Sequence, residues 1–133
     1  MSRRFRRSSG LSGRTTIEPT SQFVLRRCRL GPSASARRCK ATIPKWLANR
    51  DLLRKHFVFG VGANEGTTAG IYIWRSVEAA KKAHNDEWRE AVKTRSGDYP
   101  TMQYFDLFLL IDNEHGQVIE WTADGKAREL EAT

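Results

Sequence analysis

The sequence predicts a single α+β domain, and three observations predict it. Short aromatic-rich apolar runs of strand length fall at residues 52–62, 69–74 and 101–112. Between them lie two stretches with apolar residues at helical spacing, 32–49 and 76–96. Glycine, proline and asparagine clusters punctuate the joints, where chain reversals need them. A chain of 133 residues has room for one domain with a modest core and too little for two.

The elements follow in order. "SQFVLRRCRL", Ser21–Leu30, reads as a first strand with Phe23, Leu25 and Arg27 on one face. "GPSASARR", Gly31–Arg38, turns the chain and starts a helix that runs to Asn49, kinked or restarted at Pro44 because proline removes a helical N–H. Ile43, Trp46 and Leu47 form its expected buried stripe. "LLRKHFVFGVG", Leu52–Gly62, is a strand with His56 and Val58 on one face and Phe57 and Phe59 on the other. "ANEGTT" is a hairpin loop, and "AGIYIW" returns with Tyr72 and Trp74 opposed to Ile71 and Ile73.

Ser76 is an N-cap and Glu78 an anion in the first turn, where the helix dipole favours one. Val77, Ala80, His84, Trp88 and Ala91 then share one helix face. Gly97 closes that helix and Pro100 prevents its continuation. "TMQYFDLFLLID", Thr101–Asp112, reads as one long strand, and "QVIEW", Gln117–Trp121, pairs back on it across the turn "NEHG", which holds His115. The polar tail 123–133 reads as loose. The resulting β-α-β-β-α-β series is the ferredoxin-like arrangement, with both helices on one face of an antiparallel sheet.

Charge narrows the function. The net charge is +8, yet residues 1–40 carry ten Arg and Lys40 against Glu18, a net of +10, and residues 41–133 carry −2. The basicity therefore belongs to the N-terminal third, and the domain body lacks the interleaved basic and aromatic surface of a nucleic-acid groove. Residues 1–20 are too polar to offset their ordering entropy and read as a disordered extension. It is a segment foreign to the domain, an organelle transit peptide or a tether to an anionic surface. The domain is expected to span 21–122.

Cys28 and Cys39 lack the spacing of a zinc site or a disulfide framework and read as reduced thiols. No run approaches the roughly eighteen apolar residues of a membrane span, so the expected location is cytoplasmic with no membrane partner. The strands are apolar at nearly every position, while two helices cover only one sheet face. The uncovered face predicts a homodimer through the sheets.

"DLLRKHFVFG", "AGIYIW", "SVEAAKKAHNDEWREAV" and "PTMQYFDLFLLIDN", in that order and spacing over about residues 41–113, resemble the YdhR-like mono-oxygenases of the dimeric α+β barrel superfamily. The chain departs from that pattern at its first strand, expected at the sheet edge, where "SQFVLRRCRL" replaces a clean apolar run. The resemblance implies a homodimer with a pocket between helices and sheet in each subunit. It also implies a cofactor-independent monooxygenase acting on an aromatic or polycyclic small molecule, with no cofactor required. The alternative is a non-catalytic small-molecule-binding or stress-related dimer, since fold alone does not choose the chemistry.

Cofactor-free oxygenation needs the substrate ionised, so that its anion reduces dioxygen directly, and a flat apolar pocket. Histidine suits the base role, because its proton leaves near neutral pH. His84, on the apolar helix stripe, and His56, on the second strand, are the catalytic candidates. Each is also readable as structural, His84 in the core or at a subunit boundary and His56 facing a dimer partner. Trp88, Tyr72, Trp74 and Tyr104 are candidates to line the substrate pocket, or to fill core and interface. Asp106 interrupts an apolar strand and, if buried, needs a partner such as His56 or an arginine. A haem ligand at His84 has no further motif behind it, and "HNDEW" lacks the paired histidines of a metal helix.

Overall fold

The computed structural model describes residues 20–27 and 32–131. The expected extension lies outside the described residues except for Thr20, as does Cys28. The elements run β1 (Thr20–Arg27), α1 (Pro32–Ala41), α2 (Ile43–Ala48), β2 (Leu52–Phe59), β3 (Thr67–Trp74), α3 (Val77–Ala83), α4 (Asp86–Ser96), β4 (Thr101–Asp106), β5 (Leu109–Asp112), β6 (Gln117–Trp121) and β7 (Ala127–Glu129).

The main sheet is antiparallel in the order β2-β3-β1-β4, the strand order that two crossover helices impose on a β-α-β-β-α-β chain. The first strand is therefore interior and not at the edge. It pairs with β3 from Thr20↔Trp74 to Arg27↔Thr67, and with β4 from Thr20↔Asp106 to Leu25↔Thr101. Its arginine-rich sequence misled because pairing on both sides fixes backbone position whatever the side chains prefer.

The first helical stretch breaks at Thr42, with Pro44 in the first turn of α2, where its missing N–H costs nothing. The Thr42 hydroxyl donates to the Cys39 carbonyl at 2.6 Å and accepts from the Trp46 indole at 3.1 Å. Only Trp46 of the expected stripe is buried; Ile43 and Leu47 are 45% and 77% exposed, because a six-residue helix turns little more than one side to the sheet.

Ser76 caps α3 as expected, accepting from the Ala79 amide at 3.1 Å. The second stretch is two helices and not one. His84 is the C-cap of α3, at φ −108° and ψ 52°, and the Asn85 side chain caps α4 by accepting from the Trp88 amide at 2.9 Å. Asparagine favours such a cap over a helix interior. The break shifts the stripe, so that Val92 is buried and Ala91 is exposed. Gly97 ends α4 with φ 91°, the left-handed backbone that suits glycine.

The expected strand Thr101–Asp112 divides at Leu107 and Phe108. β4 stays in the main sheet, whereas β5 leaves it and pairs with β6, Leu109↔Glu120 to Asp112↔Gln117. The tail is not wholly loose, since β7 adds to β6 across a turn closed by a hydrogen bond from Thr122 to Asp124. The core of the described residues lies between helices and main sheet and comprises Trp46, Tyr72, Trp74, Ala80, Trp88 and Val92. Among the described residues, no helix is long and apolar enough to cross a membrane.

Candidate functional site

Four aromatic rings from three elements meet around His84. Trp88 of α4 lies 4.1 Å from the imidazole, ring centre to ring centre, and Tyr72 of β3 lies 4.7 Å away, edge on. Trp74 follows at 5.6 Å and Trp46 at 5.7 Å. The strand period of two sends Tyr72 and Trp74 to the helix side, where they stack at 5.9 Å with planes 9° apart. Gly70 makes room for this arrangement: a Cβ there would stand 2.6 Å from the Tyr72 ring. His84, 4% exposed, is thus the centre of an aromatic cluster, and its backbone N–H donates to the Ala80 carbonyl at 3.0 Å.

Beside the cluster is a cavity of about 300 Å3, at the small end of ordinary ligand sites. Trp46, Tyr72, Trp88 and Phe57 supply its flat walls. The first three are nearly buried, with exposures of 9%, 2% and 8%. Around them stand four cations, Arg38 of α1, Lys45 of α2, Lys55 of β2 and Arg95 of α4, and among the described residues no aspartate or glutamate lines the cavity. The Lys55 ammonium sits 3.7 Å from the Trp46 ring centre, 4.0 Å from that of Phe57 and 4.3 Å from that of Tyr72, positions that ring quadrupoles favour. Lys45 lies over the same Trp46 at 4.9 Å. Partial burial and then the neighbouring Arg95 charge hold the Lys45 amine below the usual lysine range.

The sequence-predicted residues divide. Tyr72 and Trp88 line the cavity. His84 and Trp74 do not; they form the layer behind its wall. Tyr104 is half-buried against the core from β4. His56 pairs with Ile71, so it faces the side of the sheet away from Tyr72 and is not at the cavity. Asp106 is exposed at the end of β4 and needs no buried partner. With β2 and β4 at opposite edges, His56 and Asp106 stand about 14 Å apart in the strand-to-strand direction, too far to pair. Sequence reasoning missed Phe57 and all four cations: Lys55 and Phe57 share a face of β2, but Arg38, Lys45 and Arg95 come from three other elements, and no spacing along the chain links them. Among the described residues, no three of His, Cys, Asp and Glu converge on a metal position.

No protein-family model and no curated protein matches the chain. Solved structures do resemble it. A protein of unknown function from Nitrosomonas europaea aligns with TM-score 0.57 and 13% identity, over 74% of this chain and 97% of that one. A proposed antibiotic biosynthesis monooxygenase from Bordetella bronchiseptica gives 0.55 and 13%, over 69% and 99%. A Streptomyces coelicolor monooxygenase solved with the ligand nanaomycin D gives 0.52 and 12%, over 73% and 93%. At these identities the likeness is one of fold: the chain has the antiparallel α+β fold found in antibiotic biosynthesis monooxygenases.

Proposed function

We propose that the chain is a monooxygenase that oxidises an electron-rich aromatic small molecule without a bound cofactor, acting as a homodimer through the outer sheet face. The observation that carries this reading is the cavity itself, three nearly buried aromatic walls bordered by cations and, among the described residues, by no carboxylate. A flat phenolic or anthrone-like ring stacks on Trp46, Tyr72 and Trp88. Lys45 and Lys55, both beside Trp46, stabilise its anion and so lower the pKa of the bound substrate. The fold shared with known monooxygenases adds weight to this chemistry without selecting a substrate.

The step balances with substrate and dioxygen alone. Loss of a proton to solvent water leaves a carbanion conjugated with the aromatic ketone, an anion that the lysine ammonium groups stabilise; it transfers its electrons to dioxygen and forms a C–O bond, giving a hydroperoxide after protonation from solvent. Loss of water then converts the original methylene into a carbonyl, so that one oxygen atom enters the product and the other leaves as water. Because neither His56 nor His84 lines the cavity, the reading assigns ionisation to the lysines.

Aerobic and anaerobic turnover of dithranol, an anthrone, by the full chain tests this. The expected result is oxygen-dependent conversion to the quinone, without added metal or flavin, above the spontaneous rate. Lys45→Met and Lys55→Met are each expected to lower kcat/KM by about tenfold or more, a modest share of what proton-transfer and electrostatic groups supply, and His56→Ala to leave it unchanged. Ligand binding with no oxygen consumption would establish the binding-protein reading instead.

A further inference from the structure

Four elements each bring a positive side chain to one cavity that, among the described residues, no carboxylate lines. Two of the four are arginines, whose planar guanidinium stays charged at any working pH and matches a carboxylate with paired donors. Arg38 and Arg95 come together where α1 meets the end of α4, with Arg38 Nη1 donating to the Arg95 carbonyl at 3.3 Å. Both arginines line the cavity, as do Trp88 and Val92 of α4, while Lys55 stands over the Trp46, Phe57 and Tyr72 rings.

We infer that the cavity selects aromatic carboxylates, with the ring on Trp46, Tyr72 and Trp88 and the carboxylate received by Arg38 and Arg95. This deepens the proposed function by naming its substrate class, a hydroxylated aromatic acid, and rests on that reading only for the chemistry that follows binding. Gathering like charges disfavours the empty site; partial burial first, and the Arg95 charge second, hold the Lys45 amine below the usual lysine range. An anion bound there relieves the repulsion, which makes charge itself a term in affinity.

The test compares 2-naphthoate with 2-naphthamide, two ligands alike in ring and size and different in charge. Binding to the full chain is followed by quenching of intrinsic fluorescence, to which Trp46 and Trp88 at the cavity contribute. Naphthoate is expected to bind at least about tenfold more tightly at low salt, with the advantage shrinking as salt rises. Arg38→Gln and Arg95→Gln are each expected to weaken naphthoate severalfold and leave naphthamide binding unchanged, which also shows that the variants fold. Arg128→Gln, in the second sheet and paired with Glu120, controls for loss of charge elsewhere and is expected to change neither ligand. Equal affinity for the two ligands, equal weakening of both by either arginine variant, or no binding of naphthoate overturns the inference. Tight naphthoate binding without oxidation of dithranol supports it and removes only the oxygenase reading.

Discussion

At the scale of the residue, the site depends on where single side chains have been given space. Tyr72 lies over Gly70, so the wall of the cavity exists because position 70 has no Cβ. Gly70→Ala is expected to push the Tyr72 ring away from His84 and Trp74 and destabilise the fold by about 1–3 kcal/mol, the cost of overpacking a core. A urea melt measures it, and an unchanged midpoint would show that the ring finds another seat at no cost. His84 shows how pattern and role separate. Its helical spacing with Trp88 correctly reported that both face inward, but for His84 inward means four surrounding rings, whereas Trp88 also lines the cavity.

At the scale of the element, breaks do as much as periodicity. Helices α3 and α4 are separated because Asn85 caps the second and His84 leaves helical geometry. That break aims Trp88 at the cluster and buries Val92 beside it. Asn85→Ala is expected to cost about 1 kcal/mol, as loss of an N-cap usually does, read as a lower urea midpoint with an unchanged slope. No change would mean that water or the backbone satisfies the Trp88 amide instead. The β5–β6 turn is fastened by polar contacts instead: His115 donates its backbone N–H to Asp112 at 3.1 Å and places its ring nitrogen 2.8 Å from the other carboxylate oxygen. These contacts hold the Asp112 carboxyl below its usual range.

At the scale of the whole molecule, the main sheet has one face under the helices and one without cover from them. On the second face the register places Val58, Ile71, Ile73 and Phe105 together with Arg54, His56 and Gln103, and Phe105 is 54% exposed. The proposed homodimer uses this face. Sedimentation of the full chain is expected to give twice the 15.2 kDa of one chain, and Phe105→Asp to shift the mass toward one chain. A wild-type mass of 15.2 kDa at every concentration would remove the dimer.

Legible in the sequence alone were the α+β class, the Ser76 and Gly97 caps, the β2–β3 hairpin, the shared face of Tyr72 and Trp74 opposite Ile71 and Ile73, and the inward stripe of His84 and Trp88. All of these follow from local propensity and from periods of two and of 3.6, which neighbouring residues carry. Only the tertiary structure decided that β1 is interior, that the strand 101–112 splits between two sheets, and that residues 127–129 form a strand. Pairing partners for those segments lie far along the chain, so no local pattern marks them. The same holds for the site. His56 shares an aromatic run with Phe57, yet the pleat of β2 sends them to opposite faces, and only the meeting of α1, α2, β2 and α4 brings Arg38, Lys45, Lys55 and Arg95 to one cavity. Convergence of separate elements is a property of packing, which the order of residues specifies only through the folded chain.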